Sequence, residues 1–158
     1  MDKLKCNSGN FYIVAVAVVE DNDGEVKKVR KTIVVEATSF GEAELMASDS
    51  MSDYSVGDVE ILNITPAAFR EVYSSCDRDD DKFYKGTVDY ITVNENTGKT
   101  KKTKQSMLIQ ANCLNRATSY LDEIMRGSMV DYSSVSVSET QIFDSFFIQY
   151  SLISVTAS

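Results

Sequence analysis

Lys27-Lys28-Val29-Arg30-Lys31-Thr32-Ile33-Val34-Val35-Glu36-Ala37-Thr38-Ser39-Phe40-Gly41-Glu42-Ala43 has a counterpart 74 positions later, starting at Lys101: Lys101-Lys102-Thr103-Lys104-Gln105-Ser106-Met107-Leu108-Ile109-Gln110-Ala111-Asn112-Cys113-Leu114-Asn115-Arg116-Ala117. Each stretch begins with basic residues, passes through an apolar strand core and ends where a helix begins. Self-similarity at a fixed period is an architectural signal that precedes any residue-level reading. Upstream, Phe11-Tyr12 opens an apolar run that Asp21-Asn22-Asp23-Gly24 turns, and Phe83-Tyr84 opens another that turns at Asn96-Thr97-Gly98. Asn, Asp and Gly supply the positive φ of a tight hairpin. In the return strand Val29, Ile33 and Val35 point one way, with Lys31 out of pattern, and Lys28, Arg30, Thr32 and Glu36 point the other. That alternation predicts a half-buried antiparallel strand.

Ser39 and Glu42 have the spacing of a capping box, followed by Phe40, Ala43, Ala47 and Met51 on one helical stripe. Residues 59–64 read as a third strand. Thr65-Pro66 reads as a cap with proline at the first helical position, which predicts a short helix over 67–73. In the second half Asn112 is the expected cap, Leu114, Ala117, Leu121 and Ile124/Met125 the stripe, and 133–140 the third strand. The expected fold is α+β: two tandem pseudo-repeated β-β-α-β units with antiparallel sheets, each packing one helix on its sheet. The first unit spans 10–73, an acidic linker 74–82, the second unit 83–147, and an apolar extension 148–158.

Phe83-Tyr84, the helix start Ala37-Thr38-Ser39-Phe40-Gly41-Glu42-Ala43-Glu44, the segment Met125-Arg126-Gly127-Ser128-Met129-Val130-Asp131-Tyr132 and the run Val137 to Phe146 together resemble an uncharacterised family. It is a domain of unknown function found in tailed phages, prophages and gut bacteria. The resemblance covers roughly residues 10 to 147, with Phe11 in place of an expected tryptophan and Gln141 in place of proline. It implies a phage-associated origin and carries over no catalytic residue.

With 43% apolar residues and one proline the composition is that of a globular chain. No apolar stretch approaches the roughly 20 residues of a membrane helix, and the opening residues lack the apolar core of a signal peptide. A soluble protein of the (host) cytoplasm is expected, with no membrane partner. Cys6, Cys76 and Cys113 form no CxxC pair and read as free thiols. There is no histidine, which removes histidine triads and zinc sites that use histidine. Phosphate loops of the GxxxxGK[ST] or GxGxxG type are missing. We expect no catalytic residues, no metal and no cofactor. Asp77, Asp79 and Asp81 occupy the first alternate positions of an EF-hand loop, but Lys82 stands where glycine is needed and Val88 where glutamate is needed. A solvated linker is the expected reading.

Eight of the sixteen basic residues lie in two segments, Lys27, Lys28, Arg30 and Lys31 and then Lys99, Lys101, Lys102 and Lys104, in a chain of net charge −8. They either guard hairpin edges or bind an anion. The candidate ligand-binding residues are Lys28, Arg30, Lys31, Lys101, Lys102 and Lys104, with Tyr84 as a stacking surface. The apolar C-terminal run makes Phe143, Phe146, Phe147 and Tyr150 candidates for oligomerisation. The expected function is non-enzymatic sequestration of a small anionic, nucleotide-type host immune signal by a homo-oligomer. A module that binds a host or phage protein is the alternative. An accessory nucleic-acid binder is the weaker one, because the net charge opposes it.

Overall fold

Asp23 and Gly24 take φ values of 55° and 88°, the left-handed conformation a two-residue hairpin turn requires. They fold β2 (Phe11–Asn22) back onto β3 (Glu25–Glu36) in an unbroken register from Asn22↔Glu25 to Phe11↔Glu36. The computed structural model describes residues 4–128 and 131–148. Its remaining elements are β1 (Leu4–Ser8), α1 (Phe40–Met51), a 3-10 turn (Ser52–Tyr54), β4 (Glu60–Pro66), β5 (Glu71–Ser75), β6 (Lys82–Val93), β7 (Thr100–Ala111), α2 (Leu114–Arg126), β8 (Tyr132–Glu139) and β9 (Ile142–Phe146). Over the described residues the protein is a mixed α+β fold with two α-helices and two sheets.

Two compact units divide the chain: Met1–Gly9 with Ala67–Phe143, and Asn10–Pro66 with Asp144–Ser158. In the first, the strand order is β1-β5-β7-β6-β8. Its β6–β7 ladder is unbroken from Val93↔Thr100 to Lys82↔Ala111, and β8 pairs with β6 antiparallel. β5 joins β7 in parallel through Val72↔Leu108 and Tyr73↔Ile109, so this sheet is mixed rather than wholly antiparallel. Tyr84, Val88, Met107, Ile109 and Ala111 pack with Ala117, Tyr120, Leu121 and Met125 of α2 in one buried cluster. α2 comes close because Gly86 has no side chain: a Cβ there would lie 3.4 Å from Ile109 Cδ1 and from both Leu121 Cδ atoms.

The second unit has the order β4-β2-β3-β9. Ala43, Ala47 and Met51 of α1 are buried, and Tyr12 of β2 meets Phe40 edge-on at 5.0 Å. Ser39 Oγ accepts the Glu42 amide at 3.1 Å, one arm of the expected capping box. The other arm differs, since the Glu42 carboxylate accepts from the Thr38 hydroxyl at 2.5 Å.

Three local expectations are corrected. No helix forms over 67–73: Pro66 is the last residue of β4, paired with Tyr12 on an end strand where its missing N–H costs nothing. Glu71–Ser75 is instead β5, because Val72 and Tyr73, flanked by β1 and β7, gain two strand partners that a one-turn helix lacks. Asn112 does not cap α2; Cys113 holds the N-cap position without a side-chain bond. Phe40 and Leu114, assigned to the helical stripes, are 52% and 49% exposed, and Tyr120 is the buried residue that the second stripe lacked.

The contact at Gly86 gives a direct test. Gly86→Val should cost about 1–3 kcal/mol in urea unfolding by overpacking α2 against the sheet, with the m-value unchanged.

Candidate functional site

Strand alternation decides where the basic residues point. In β7 the odd positions Met107 and Ile109 face α2, so Lys101 lies on the helix side of the sheet and Lys102 and Lys104 on the opposite side. All three are exposed, and no ion pair joins them to a carboxylate among the described residues. Lys102 stands across from Ile91, and Lys104 across from Asp89.

In β3, Val35 pairs with the α1-facing Tyr12, so Lys31 is on the helix side and Lys28 and Arg30 on the other. Lys31 is half-buried and lies 3.6 Å from Glu20. Lys28 Nζ is 3.1 Å from Glu60 Oε2, with both side chains more than half exposed, so water screens most of that attraction. Alternation therefore divides the six basic candidates between two faces. Lys28 with Arg30 and Lys102 with Lys104 form same-face pairs, their Cα atoms about 7 Å apart from the rise of a strand.

Tyr84 is 3% exposed within the α2-facing core and offers no ring face to a ligand. Phe143, Phe146 and Phe147 are half-buried. Phe147 meets Phe11 edge-on at 6.2 Å, while Phe146 and Phe147 line a cleft of about 470 Å³ beside α1. Tyr150 lies outside the described residues. Cys6, Cys76 and Cys113 are exposed free thiols.

The acidic stretch 76–81 contains a site that sequence reasoning missed. Asp80 is 2% exposed. Its Oδ2 accepts hydrogen bonds from the Tyr120 hydroxyl at 2.7 Å and from the Ser75 hydroxyl. Its Oδ1 lies 2.9 Å from Arg116 Nε. The Nε–H is directed at the Tyr120 oxygen, 2.7 Å away, so Oδ1 receives charge without a directed hydrogen bond. The other end of the guanidinium donates to Asp77 Oδ2 at 2.9 Å, and Asp77 Oδ1 accepts the Asp79 amide at 3.0 Å. Asp77 is thereby committed to the loop and to α2. Burial and the hydrogen bond to Asp80 push the Tyr120 phenol above its ordinary pKa, which keeps it a donor. The one legible clue was Arg116, a cation in the first turn of α2, where the helix dipole disfavours it; it is offset here by two carboxylates. Asp80→Ala should cost about 3 kcal/mol in urea unfolding, because it removes the acceptor of two hydroxyls and leaves the guanidinium with Asp77 as its one carboxylate.

In the other unit Asp144 Oδ2 accepts a long hydrogen bond from Tyr54, at 3.5 Å, and Oδ1 takes the Ser145 amide at 2.8 Å. Burial raises the Asp144 carboxyl above the usual carboxylate range, against the lowering effect of both hydrogen bonds. A raised folded pKa means the folded state holds the proton more tightly than the unfolded chain. The stabilisation is complete below the ordinary carboxyl pKa and is lost as pH rises through the raised one. Asp144→Asn should remove that part of the pH dependence, measured as unfolding midpoints between pH 3 and 7.

Among the described residues no helix is long and apolar enough to cross a membrane, and no cluster of acidic or cysteine side chains suits a metal ion. No curated protein and no solved structure matches the chain. A family model described as a domain of unknown function (DUF4494) matches residues 10–150. That span takes in both long hairpins, both helices and the basic pairs, and the chain belongs to the DUF4494 family.

Proposed function

We propose that this protein is a non-catalytic binding protein made of two tandem pseudo-repeated β-β-α-β units, each presenting a basic pair to a small anionic, nucleotide-type ligand. The observation that carries the reading is the common placement of Lys28–Arg30 and Lys102–Lys104. Each pair sits on the strand that returns from a hairpin, on the face away from the unit's helix. The repeat is supported by the strand orders β4-β2-β3 and β8-β6-β7. Further support comes from Tyr12↔Val35 beside Tyr84↔Ile109, and from buried Ala43, Ala47 and Met51 recurring as Ala117, Leu121 and Met125.

Acids stand beside both pairs: Asp21 on β2 and Glu60 on β4 near the first, Asp89 on β6 and Asp131, whose carbonyl is bonded to the Ile91 amide, near the second. Across the first, the register reads Arg30–Ala17–Glu60; across the second it reads Lys104–Asp89–Ser134. Lysines spaced along a strand suit separate phosphate oxygens as point charges. The resemblance to a phage-borne family supports a role inside an infected cell, and half-buried Phe146 and Phe147 support assembly of several copies.

Isothermal titration against a panel of cyclic nucleotides tests the reading. Lys102→Glu with Lys104→Glu should weaken binding by tenfold or more, as expected for charge-assisted hydrogen bonds worth about 1.5–3 kcal/mol. Lys101→Glu, on the other face, should change it far less. Absence of heat with every member of the panel overturns this function.

A further inference from the structure

β7 is covered along only part of its outer edge. Its neighbours are β6 and β5, and β5 joins it only through Val72↔Leu108 and Tyr73↔Ile109. Thr100 to Gln105 have no described strand on the side away from β6, and all six are exposed. The ladder with β6 decides which main-chain groups face that side. The Asn94 amide donates to the Lys99 carbonyl at 2.9 Å, and from such a bonded pair hydrogen-bonded and non-hydrogen-bonded pairs alternate. Thr92↔Lys101 and Tyr90↔Thr103 are then bonded pairs, and Val93↔Thr100, Ile91↔Lys102 and Asp89↔Lys104 are not. Two further bonds agree. The Lys101 carbonyl accepts from the Thr92 hydroxyl at 3.3 Å, so it points to β6. The Ile91 amide donates away from β7, to the Asp131 carbonyl at 2.9 Å. The N–H and C=O groups of Thr100, Lys102 and Lys104 therefore point out of the open edge.

The same stretch carries charge of one sign. Lys99, Lys101, Lys102 and Lys104 fall within six residues, and no acid occurs from Lys99 to Ala111. Asp89 and Asp131 lie inboard, on β6 and on the β8 side of it, so lysines form the outermost row of the sheet here. A second copy is a poor occupant for this edge. Antiparallel pairing of two β7 edges about Lys102 sets Lys102 opposite Lys102, and directly opposed like charges are destabilising. An extended acidic chain meets the opposite condition. Outward N–H groups at every second residue also call for carbonyl oxygens at strand spacing, which a peptide has and a nucleic-acid strand lacks.

We propose that the open edge of β7, from Thr100 to Lys104, accepts an extended acidic segment of a partner protein as an added strand. Main-chain hydrogen bonds to Thr100, Lys102 and Lys104 supply affinity and register. Carboxylates at alternate positions of the guest lie on one face, beside Lys102 and Lys104. Those two lysines also serve the small-anion reading, but the outward main chain serves the peptide alone. The two ligands are tested by different probes, and either can bind where the other fails.

The probe is a fluorescein-labelled nonapeptide of alternating glutamate and threonine, titrated by anisotropy onto the full chain, with an alternating lysine–threonine peptide as control. The glutamate peptide should bind roughly tenfold or more tightly than the control, and Lys102→Glu with Lys104→Glu should weaken it by a similar factor. Lys102→Pro removes one outward N–H and leaves the ladder with β6 intact; it should bind the peptide about threefold or more weakly than Lys102→Ala does. Residue-resolved amide exchange reads the register directly. With the peptide bound, the amides of Thr100, Lys102 and Lys104 should slow, while those of Lys101 and Thr103, already bonded to β6, change little. Attraction to a charged surface alone does not produce that alternation. Equal binding of both peptides, or unchanged exchange at the three outward amides, overturns the proposal. Equally tight binding of a nine-residue oligothymidylate would give the lysines to nucleic acid, and a dimer that the peptide disperses would give the edge to a second copy. Both overturn it.

Discussion

The backbone ladder of the two long hairpins is the constraint on which the rest depends. Twelve residues of β2 pair with twelve of β3, and twelve of β6 with twelve of β7, without a bulge in either ladder. An unbroken ladder transmits side-chain parity over its whole length, so fixing one residue against a helix fixes every other. Ile109 packs under α2, and that alone sends Lys102 and Lys104 to the far face. A single inserted residue between Ile109 and Lys104 would bring the pair to the helix side. The register shifts that do occur lie in the outer pairings, between Ala15 and Val16 opposite β4 and between Asp89 and Tyr90 opposite β8. They leave the central hairpins undisturbed.

Much of this was legible because it is local. Asp23-Gly24 has few conformations open to it besides a hairpin turn, and Ser39 with Glu42 announces a helix start through chemistry four residues long. The alternation of Val29, Ile33 and Val35 against Lys28 and Arg30 gave the correct faces of β3. What was not legible depends on distant neighbours. Glu71–Ser75 has no strand signal strong enough to outweigh the proline cap signal before it; its state is decided by β1, far before it in the sequence, and β7, well after it. Tyr84 read as an available aromatic because nothing local shows that a helix thirty residues later will cover it.

Asp80 shows the same limit in the polar part of the molecule. A run of aspartates reads as solvated, since carboxylates are seldom buried unless paired. Here the pairing groups, Arg116 and Tyr120, lie one helical turn apart on α2, and Arg116 stacks its guanidinium 5.3 Å from the Tyr120 ring centre. Only the folded chain brings Asp80 to them. The burial of one carboxylate among four outwardly similar residues is a property of the loop, not of composition. The network anchors residues 76–81 to α2 at the entrance to β6, and so steadies the strand that carries half of the second hairpin.

The sheet memberships of β1 and β9 bear on how the chain is made. Residues 4–8 belong to a sheet whose central strands lie some eighty to one hundred residues later. The sheet of the first hairpin, conversely, closes only with residues 142–146. Neither sheet is finished until its last strand, β8 or β9, has been made, so the order of synthesis is not the order of completion. Such long-range pairing is entropically slow, and it leaves the β3 edge unsatisfied until β9 has been made. Lys27, Lys28 and Arg30 on that strand keep the waiting edge charged until its last partner arrives.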